Sequence, residues 1–408
     1  MYGLVLEGGG AKGSYQIGAC KALKEIGVEI GAVAGTSIGA LNGALFVQDE
    51  LEKAYEIWND ISISQLFDIE ENRLEELRNM EISPDSILYF AKKAREVMHS
   101  RGLDITLVNR LLNDIIDENK LRNSKMKFGI VTISISDMKP LELFLEDIPE
   151  GKVVDYLLAS ANLPAFKQQK LDGKHFLDGG FYDNLPINML IKKGYKDLIA
   201  IRTNAIGRTR RLVDSEAKVT YITSEQNLGR MLDFNKEQSR VNLLWGYFDT
   251  IKQFKGLVGR KYYIEPSGDE EFFVRVLTLP GEERILSVGE FLGFANMPWR
   301  RLLFEHIIPR LIVLLELKKD CKYEDIVVGV CEIIAEDKGL DKFMIYKFNS
   351  FLDEIRKKYV RKVFTSENRH LPAFLKQTEV LSRTSREKIL REIIYELFDD
   401  FFAKPEFE

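Results

Sequence analysis

The apolar positions near the N-terminus alternate between short runs and longer stretches with helical spacing. Tyr2–Leu6 is a short apolar run typical of a strand. The apolar residues that follow recur at the spacing of one helix face: Tyr15, Ala19, Ala22, Leu23 and Ile26. A second apolar run, residues 28–34, precedes a second helical stretch over residues 40–46. This alternation predicts an α/β fold in which helices connect the strands of a sheet.

A serine lies where the second of these strands passes into its helix. The segment reads Gly35-Thr36-Ser37-Ile38-Gly39, which has the G-x-S-x-G spacing of a nucleophile elbow. Such a turn exposes the serine hydroxyl at the sheet edge, and the glycines remove side chains that would clash in it. The N–H of Ile38, at the helix start, then favours negative charge on a substrate oxygen. The alternative for this pentapeptide by itself is a glycine turn that caps a helix.

A glycine cluster occupies the first strand-to-helix turn. Gly8-Gly9-Gly10-Ala11-Lys12-Gly13 fits the dinucleotide-binding spacing G-x-G-x-x-G, so a nucleotide site is the main rival hypothesis. That fingerprint expects an acidic residue near the end of the second strand, whereas Glu29 lies at its start. A Walker phosphate loop is excluded because Ser14 and Tyr15 follow the last glycine. Bare backbone N–H groups bind a phosphate or an oxyanion equally well, and the neighbouring serine favours the oxyanion.

The general base is expected to be an aspartate. The chain has four histidines, His99, His175, His306 and His370, and none has a context typical of a catalytic base. In His175-Phe176-Leu177-Asp178, strand alternation sends His175 and Asp178 to opposite faces. Gly179-Gly180 then allows a sharp turn that presents the Asp178 carboxylate at the sheet edge. We therefore expect a Ser37/Asp178 dyad in an apolar, partly enclosed site, because desolvation makes a carboxylate a better proton acceptor.

Together these motifs resemble those of the patatin-like phospholipases in content, order and separation. Two flanking segments agree with the family as well: Ala159–Phe166 before the aspartate, and Asn184-x-Pro186 after it. The resemblance covers roughly residues 1–266. It implies a three-layer α/β/α fold and acyl-ester hydrolysis by a Ser-Asp dyad, without a metal or an organic cofactor.

The resemblance also implies roles for individual residues. Ser37 would be the nucleophile and Asp178 its general base. The implied oxyanion donors are the backbone N–H groups of Gly8, Gly9, Gly10 and Ile38. The remaining motif residues are Lys12, Gly13, Gly35, Gly39, Gly179 and Gly180. Lys12 would either orient a phosphate headgroup or brace the glycine loop.

The function expected from this resemblance is that of a serine lipid acyl hydrolase of phospholipase A or lysophospholipase type. Its substrate would be a lipid ester, most simply a phospholipid. Three alternatives stay open: an acyltransferase that uses the same acyl-enzyme, a nucleotide-binding module built on residues 8–13, and an inactive scaffold that binds a protein partner.

The rest of the chain is mostly helical in pattern. We expect a hydrolase domain over residues 1–266, a connecting segment to about residue 280 and a mainly α-helical accessory domain over residues 281–408. Residues 51–119 also have a helical pattern and are expected to wall or cover the Ser37 site. The accessory domain would serve as a scaffold, as a homodimer surface or, through a basic amphipathic helix from Phe351, as a membrane-surface element.

Composition narrows the partners and the compartment. The 408 residues are 45% hydrophobic, enough for well-buried cores, and the net charge of −5 argues against nucleic-acid binding. Cys20, Cys321 and Cys331 lack a metal-site spacing and are expected to be reduced thiols. The first strand leaves no room for a signal peptide, and no apolar run reaches about 20 residues. We therefore expect a cytoplasmic protein that is at most peripheral at a membrane.

Overall fold

An eight-stranded mixed sheet organises the N-terminal part of the protein. The computed structural model describes residues 1–69, 92–93, 95, 102–167, 170–294, 296–361 and 382–403, and the chain divides into two units, residues 1–254 and 255–408. The strands of the first unit are β1 (Tyr2–Leu6), β2 (Ile30–Thr36), β3 (Lys127–Ser134), β4 (Lys139–Phe144), β5 (Lys170–Leu171), β6 (Lys174–Asp178), β7 (Asp197–Arg202) and β8 (Lys218–Thr223). Their order is β5-β6-β3-β2-β1-β7-β8, with β4 also paired to β3.

Helices cover both faces of this sheet because the strand side chains alternate between two cores. Leu4 and Leu6 face a large helical core, whereas Val5 and Ala34 face a smaller one that also contains Ile187. The helices of the unit are α1 (Gly13–Ile26), α2 (Ile38–Val47), α3 (Leu51–Asp60), α4 (Ile63–Leu66), α5 (Thr106–Ile115), α6 (Glu118–Asn123), α7 (Val153–Ser160), α8 (Ile187–Lys192) and α9 (Lys236–Lys255). The predicted three-layer α/β/α fold is confirmed.

Pairing along β3 brings the ends of β2 and β6 together. Thr36 of β2 pairs with Val131, and Asp178 of β6 pairs with the next residue of β3, Thr132. Because β4 occupies the opposite side of β3 over residues 129–134, β2 and β6 lie end to end along one side of it. Ser37 follows Thr36 directly, so the sheet itself brings Ser37 next to Asp178.

The C-terminal unit is mainly helical. Its helices are α10 (Glu270–Thr278), α11 (Glu282–Leu292), α12 (Trp299–Arg301), α13 (Ile308–Leu314), α14 (Tyr323–Asp337), α15 (Phe348–Lys358) and α16 (Arg383–Ala403), and a π-helical turn, Leu302–Ile307, joins α12 to α13. Strands β9 (Tyr263–Glu265) and β10 (Ile345–Lys347) pair in parallel. The prediction of a mainly α-helical C-terminal region is confirmed.

The boundary between the units lies earlier than expected. The expected hydrolase domain ended at residue 266, whereas β9 pairs with β10 inside the C-terminal unit. The expected connecting segment also contains α10, whose Phe273, Val276 and Leu277 are buried. The pattern of a short strand does not encode its partner, so the local sequence could not assign β9 to the second unit.

Two predicted helical segments are described in part. Within residues 51–119 the structure has α3, α4, α5 and the start of α6, while residues 70–91, 94 and 96–101 lie outside the described residues. The expected basic helix from Phe351 corresponds to α15, which ends at Lys358, and residues 362–381 lie outside the described residues. In the part of the chain that the structure describes, no helix is long and apolar enough to cross a membrane.

Candidate active site

Ser37 lies on a strained turn between β2 and α2. Its backbone has φ 56° and ψ −125°, a region that residues other than glycine rarely occupy. Such strain costs about 1–3 kcal/mol and persists only where the surrounding structure imposes it. The Ser37 N–H donates to Ser160 Oγ at 3.0 Å, and Ser160 Oγ donates to the Val131 carbonyl oxygen at 2.6 Å. Ser160, for which no individual role was predicted, thus holds the turn in place.

Gly35 and Gly39 allow α2 to begin directly against the strand ends. A Cβ on Gly35 would lie 2.3 Å from the carbonyl oxygen of Gly39, and a Cβ on Gly39 would lie 2.3 Å from that of Leu6. Gly13, the first residue of α1, is equally close to α2, since its Cβ would lie 2.6 Å from the Ile38 side chain. These close approaches bring the N-terminus of α2 beside the glycine loop.

Three backbone N–H groups near Ser37 are without an acceptor in the described part of the chain. Within the described residues, the N–H groups of Gly9, Gly10 and Ile38 make no hydrogen bond. Gly10, Ser37 and Ile38 line the same cavity. Gly10 has φ 58°, and a Cβ on it would lie 2.1 Å from the Met231 carbonyl oxygen, so only glycine fits this turn without rearrangement. The loop therefore has backbone donors available for a ligand oxygen.

Gly8 is not such a donor, contrary to the prediction. Its N–H donates to the Asn184 carbonyl oxygen at 3.0 Å, and its own carbonyl oxygen accepts a hydrogen bond from the Thr203 hydroxyl at 2.7 Å. Both partners belong to loops far away in sequence, so glycine spacing could not reveal them. Gly8 instead anchors the loop that carries Gly9 and Gly10.

The contacts of Lys12 favour the bracing role over the headgroup role. Its Nζ donates to the carbonyl oxygens of Thr203 and Asn204, both at 3.4 Å. The ammonium group therefore ties the end of the glycine loop to the loop that follows β7.

Glu7, the last residue before the glycine loop, was not predicted to belong to the site. Its carboxyl group is buried and accepts the N–H groups of Thr203 at 2.6 Å and Asn204 at 2.9 Å, and the Arg202 guanidinium lies 3.6 Å from its other oxygen. Burial raises the pKa of Glu7, while Arg202 and the two N–H groups act against that shift. The signal in the sequence was a single acidic residue at the end of an otherwise apolar strand.

Asp178 ends β6 with a buried carboxyl group. Only 3% of the residue is exposed, and Oδ1 accepts the Gly180 N–H at 2.7 Å. Burial raises the pKa of Asp178 to about 6, and hydrogen bonds from the Ser37 side chain and the Gly180 N–H oppose this rise. Gly179 fits closely against β3, since a Cβ on it would lie 2.3 Å from the Val131 carbonyl oxygen. A carboxylate with such a pKa is ionised at neutral pH and still accepts a proton more readily than an exposed one.

Within the N-terminal unit, neither His175 nor Glu29 lines the cavity beside Ser37. His175 is half-buried, on the strand face opposite to the buried aspartate, and His306 stacks on a phenylalanine of the C-terminal unit. His99 and His370 lie outside the described residues. Glu29 is exposed and precedes β2, at the end of the sheet opposite to the glycine loop. Over the described residues, no group of three His, Cys, Asp or Glu side chains is placed to hold a metal.

An apolar cavity opens beside Ser37. Its volume is about 950 Å³ including the open mouth, and it follows one face of α2 from Ile38 to Leu45. Residues of α3, α4 and α5 form much of its wall, so the described part of residues 51–119 walls the site as expected. Six of the lining side chains show its character: Ile38, Leu45, Trp58, Phe67, Leu112 and Phe166. Such a cavity suits a hydrocarbon chain.

Comparison with known proteins gives a matching family model, several relatives and a similar solved structure. Residues 4–191 match the family model described as patatin-like phospholipase. The chain is 27% identical over 201 residues to patatin-like phospholipase domain-containing protein 7 of Rattus norvegicus, and 28% identical over 205 residues to lysophospholipase nte1 of Aspergillus terreus. These alignments cover 48% and 50% of this chain but only 13% and 12% of the two relatives. Among solved structures, VipD from Legionella pneumophila aligns over 99% of this chain and 92% of that one, with 14% identity and a TM-score of 0.40.

The segment matched by the family model contains all three motifs of the candidate site. It includes the glycine loop, the Ser37 elbow and the Asp178 turn, and it lies within the unit that has the three-layer fold. The N-terminal unit of this chain therefore contains the segment that matches the patatin-like phospholipase family.

Proposed function

We propose that the protein is a serine lipid acyl hydrolase that cleaves carboxylic ester bonds of phospholipids or lysophospholipids. The observation that carries this proposal is the pairing of Ser37, on its positive-φ turn, with the buried Asp178, whose pKa is raised to about 6, at the mouth of an apolar cavity. The names of the relatives, phospholipase and lysophospholipase, support the same class of substrate.

In the first half of the reaction, Ser37 Oγ attacks the ester carbonyl carbon while its proton passes to the Asp178 carboxylate. The carbonyl oxygen becomes an oxyanion, which accepts hydrogen bonds from the N–H groups of Gly9, Gly10 and Ile38. When the tetrahedral intermediate collapses, the carbon–oxygen bond of the alcohol breaks and Asp178 gives its proton to the departing oxygen. The product is an acyl ester on Ser37.

In the second half, Asp178 takes a proton from a water molecule as that water attacks the acyl ester. Collapse of the second intermediate releases the fatty acid and returns the proton to Ser37 Oγ. Each oxyanion donor is worth on the order of 3 kcal/mol, and general base catalysis contributes about 10²–10⁴ in rate.

The cavity supports a long acyl chain as the group transferred to Ser37. It extends along α2 from Ile38 to Leu45, about 10 Å at the rise of an α-helix. Each methylene group buried there contributes about 0.8 kcal/mol to binding, so longer chains are expected to raise kcat/KM until the cavity is full.

The test is a panel of phospholipids and lysophospholipids incubated with the wild type, Ser37→Ala and Ser215→Ala, with released fatty acid as the readout. Ser215 is an exposed serine without a role in the site and is the matched control. We expect release by the wild type and by Ser215→Ala, and release at the background rate by Ser37→Ala. Near-normal release by Ser37→Ala would refute the proposal. Transfer of the acyl group to an added lysophospholipid, without free fatty acid, would identify an acyltransferase instead.

A further inference from the structure

Two exposed apolar side chains lie beside the Asp178 turn. Ile206 is 94% exposed, and Phe181, which follows Gly180, is 54% exposed. The Arg208 N–H donates to the Gly180 carbonyl oxygen at 3.0 Å, so the loop that carries Ile206 is fastened to the segment that carries Phe181. Both side chains are therefore available for contact with an external apolar surface.

The same loop presents a group of arginines. Arg208, Arg210 and Arg211 are all exposed, and Arg210 also interacts electrostatically with the buried Asp183 carboxyl group. The Arg210 guanidinium lies 4.6 Å from the ring centroid of Tyr182, which holds the loop against the Asp178 turn. A local positive charge of this kind, on a chain with a net charge of −5, favours a partner that carries negative charge.

The apolar cavity and the chain that follows the Asp178 turn contribute to cores on different faces of the sheet. The cavity belongs to the core that contains Leu45, whereas the chain that continues from the Asp178 turn enters the core on the other sheet face through Leu185 and Ile187. Phe181 is three residues from Asp178, and the loop with Ile206 is hydrogen-bonded to the same turn, so the exposed side chains lie on the segments that flank the catalytic candidate Asp178.

We propose that five residues form a docking rim that seats the N-terminal unit on the surface of an anionic lipid bilayer: Phe181, Ile206, Arg208, Arg210 and Arg211. The apolar tips enter the boundary between headgroups and acyl chains, and the arginines contact lipid phosphates. The choice of a bilayer as the partner rests on the proposed function, because a lipid ester reaches Ser37 from such a surface.

Vesicle flotation of the full chain tests the rim. The vesicles contain either phosphatidylcholine alone or phosphatidylcholine with phosphatidylglycerol. We expect the wild type to prefer the anionic vesicles, and Ile206→Asp to bind them about tenfold more weakly, as expected for loss of a buried aliphatic side chain. Arg208→Gln and Arg211→Gln are each expected to weaken binding about fivefold and to reduce its dependence on salt.

Ile26→Asp is the matched control. Ile26 is 36% exposed at the end of α1, near the amino-terminal ends of β1 and β2 and thus at the other end of these strands from the glycine loop, so the same change of chemistry there should leave vesicle binding unaltered. A soluble short-chain ester gives a second readout, because its hydrolysis does not require a membrane. We expect Ile206→Asp to hydrolyse it at the wild-type rate, which also shows that the variant is folded.

The outcomes separate this inference from the proposed function. If Ser37→Ala binds anionic vesicles like the wild type but the wild type releases no fatty acid, the rim stands and the hydrolase proposal fails. If the wild type hydrolyses lipids but Ile206→Asp and the arginine variants bind vesicles undiminished, the rim is wrong. A loss of binding in Val360→Asp alone, a change at an exposed apolar residue of the C-terminal unit, would place docking in that unit and would also overturn the rim.

Discussion

The two units each bury a carboxyl group, and they surround it in opposite ways. Asp178 in the N-terminal unit and Glu332 in the C-terminal unit are both only 3% exposed. One oxygen of Glu332 accepts three backbone N–H groups, those of residues 260, 261 and 262, at 2.7–2.8 Å. Asp178 accepts one backbone N–H, from Gly180, and its remaining partner is the Ser37 side chain.

The difference distinguishes a structural carboxylate from a reactive one. Hydrogen bonds from N–H groups favour the charged form, so the three donors around Glu332 make it a fixed acceptor that organises the turn before β9. Asp178 lacks that compensation, and burial raises its pKa to about 6. A buried acid with few donors and a hydroxyl neighbour is poised for proton transfer rather than for holding the chain together.

The largest expected effect is the loss of hydrolysis in Asp178→Asn. The amide cannot accept the Ser37 proton, so kcat/KM should fall by about 10²–10⁴. In the wild type, kcat/KM should rise as Asp178 ionises, with an apparent pKa of about 6, and level off at higher pH. A pH series with a soluble ester measures both quantities.

Asp183→Asn is the control for this assignment. Asp183 is 1% exposed, burial raises its pKa to about 6 as well, and it accepts the N–H groups of Leu185 and Arg210. We expect Asp183→Asn to keep the wild-type rate and the same rise of kcat/KM between acidic and neutral pH. If this pH dependence disappeared in Asp183→Asn and persisted in Asp178→Asn, Asp183 and not Asp178 would be the general base.

The next largest effect is expected at Glu332, the buried carboxylate of the C-terminal unit. Glu332→Ala would leave three N–H groups without their acceptor, at about 1–3 kcal/mol for each one that is buried, so a loss of about 3 kcal/mol or more is expected. Glu332→Gln keeps a side-chain oxygen for them and should cost much less. Hydrogen exchange in the amides of α14 measures this loss locally, and equal protection in the two variants would contradict a structural role for the carboxylate.

Local patterns predicted the parts of the site that are local in the chain. The Ser37 elbow, the turn after Asp178 and the open N–H groups of Gly9 and Gly10 each depend on a few adjacent residues. Spacing and turn chemistry are therefore sufficient to find them. The first two strands and the helices that follow them were predicted from periodicity in the same way.

The features that sequence analysis missed depend on distant partners. The Gly8 N–H is occupied by the carbonyl oxygen of Asn184, and Glu7 binds the backbone at Thr203, 196 residues away. Strand β9 pairs with β10, which lies about 80 residues later in the chain, and therefore belongs to the C-terminal unit. No local pattern records which segments meet in space, so these contacts became visible only in the fold.

A smaller effect links the chemistry of Asp178 to stability. Its pKa is raised in the folded protein, from 3.8 to about 6, so the fold favours the protonated form and loses stability as pH rises through that interval. At about 1.4 kcal/mol for each pKa unit, ionisation of Asp178 costs up to about 3 kcal/mol at neutral pH. Asp178→Asn avoids that cost, and we expect it to be about 1–3 kcal/mol more stable than the wild type at pH 7.

Below pH about 4 the wild-type carboxyl group is already protonated, so this advantage should vanish there. Hydrogen exchange in the amides of β1, β2 and β3 at both pH values measures the stability of the N-terminal unit. A variant less stable than the wild type at neutral pH would mean that Asp178, like Glu332, mainly supports the structure.

The smallest effect is expected at Glu7, whose number of N–H donors lies between those of Asp178 and Glu332. Its carboxylate accepts two backbone N–H groups, more than Asp178 and fewer than Glu332, and Thr203, which it holds, donates to the Gly8 carbonyl oxygen. We infer that Glu7 is a positioning residue that sets the N–H groups of Gly9 and Gly10 for the oxyanion. Glu7→Gln keeps the shape but weakens the acceptor, so kcat should fall about tenfold, or about 1.4 kcal/mol, with KM unchanged. A purely structural role would instead lower the amount of folded protein and leave kcat per folded molecule intact. Parallel measurement of kcat, KM and amide exchange in β1 separates the two, because only misplaced oxyanion donors reduce kcat in a protein that remains fully folded.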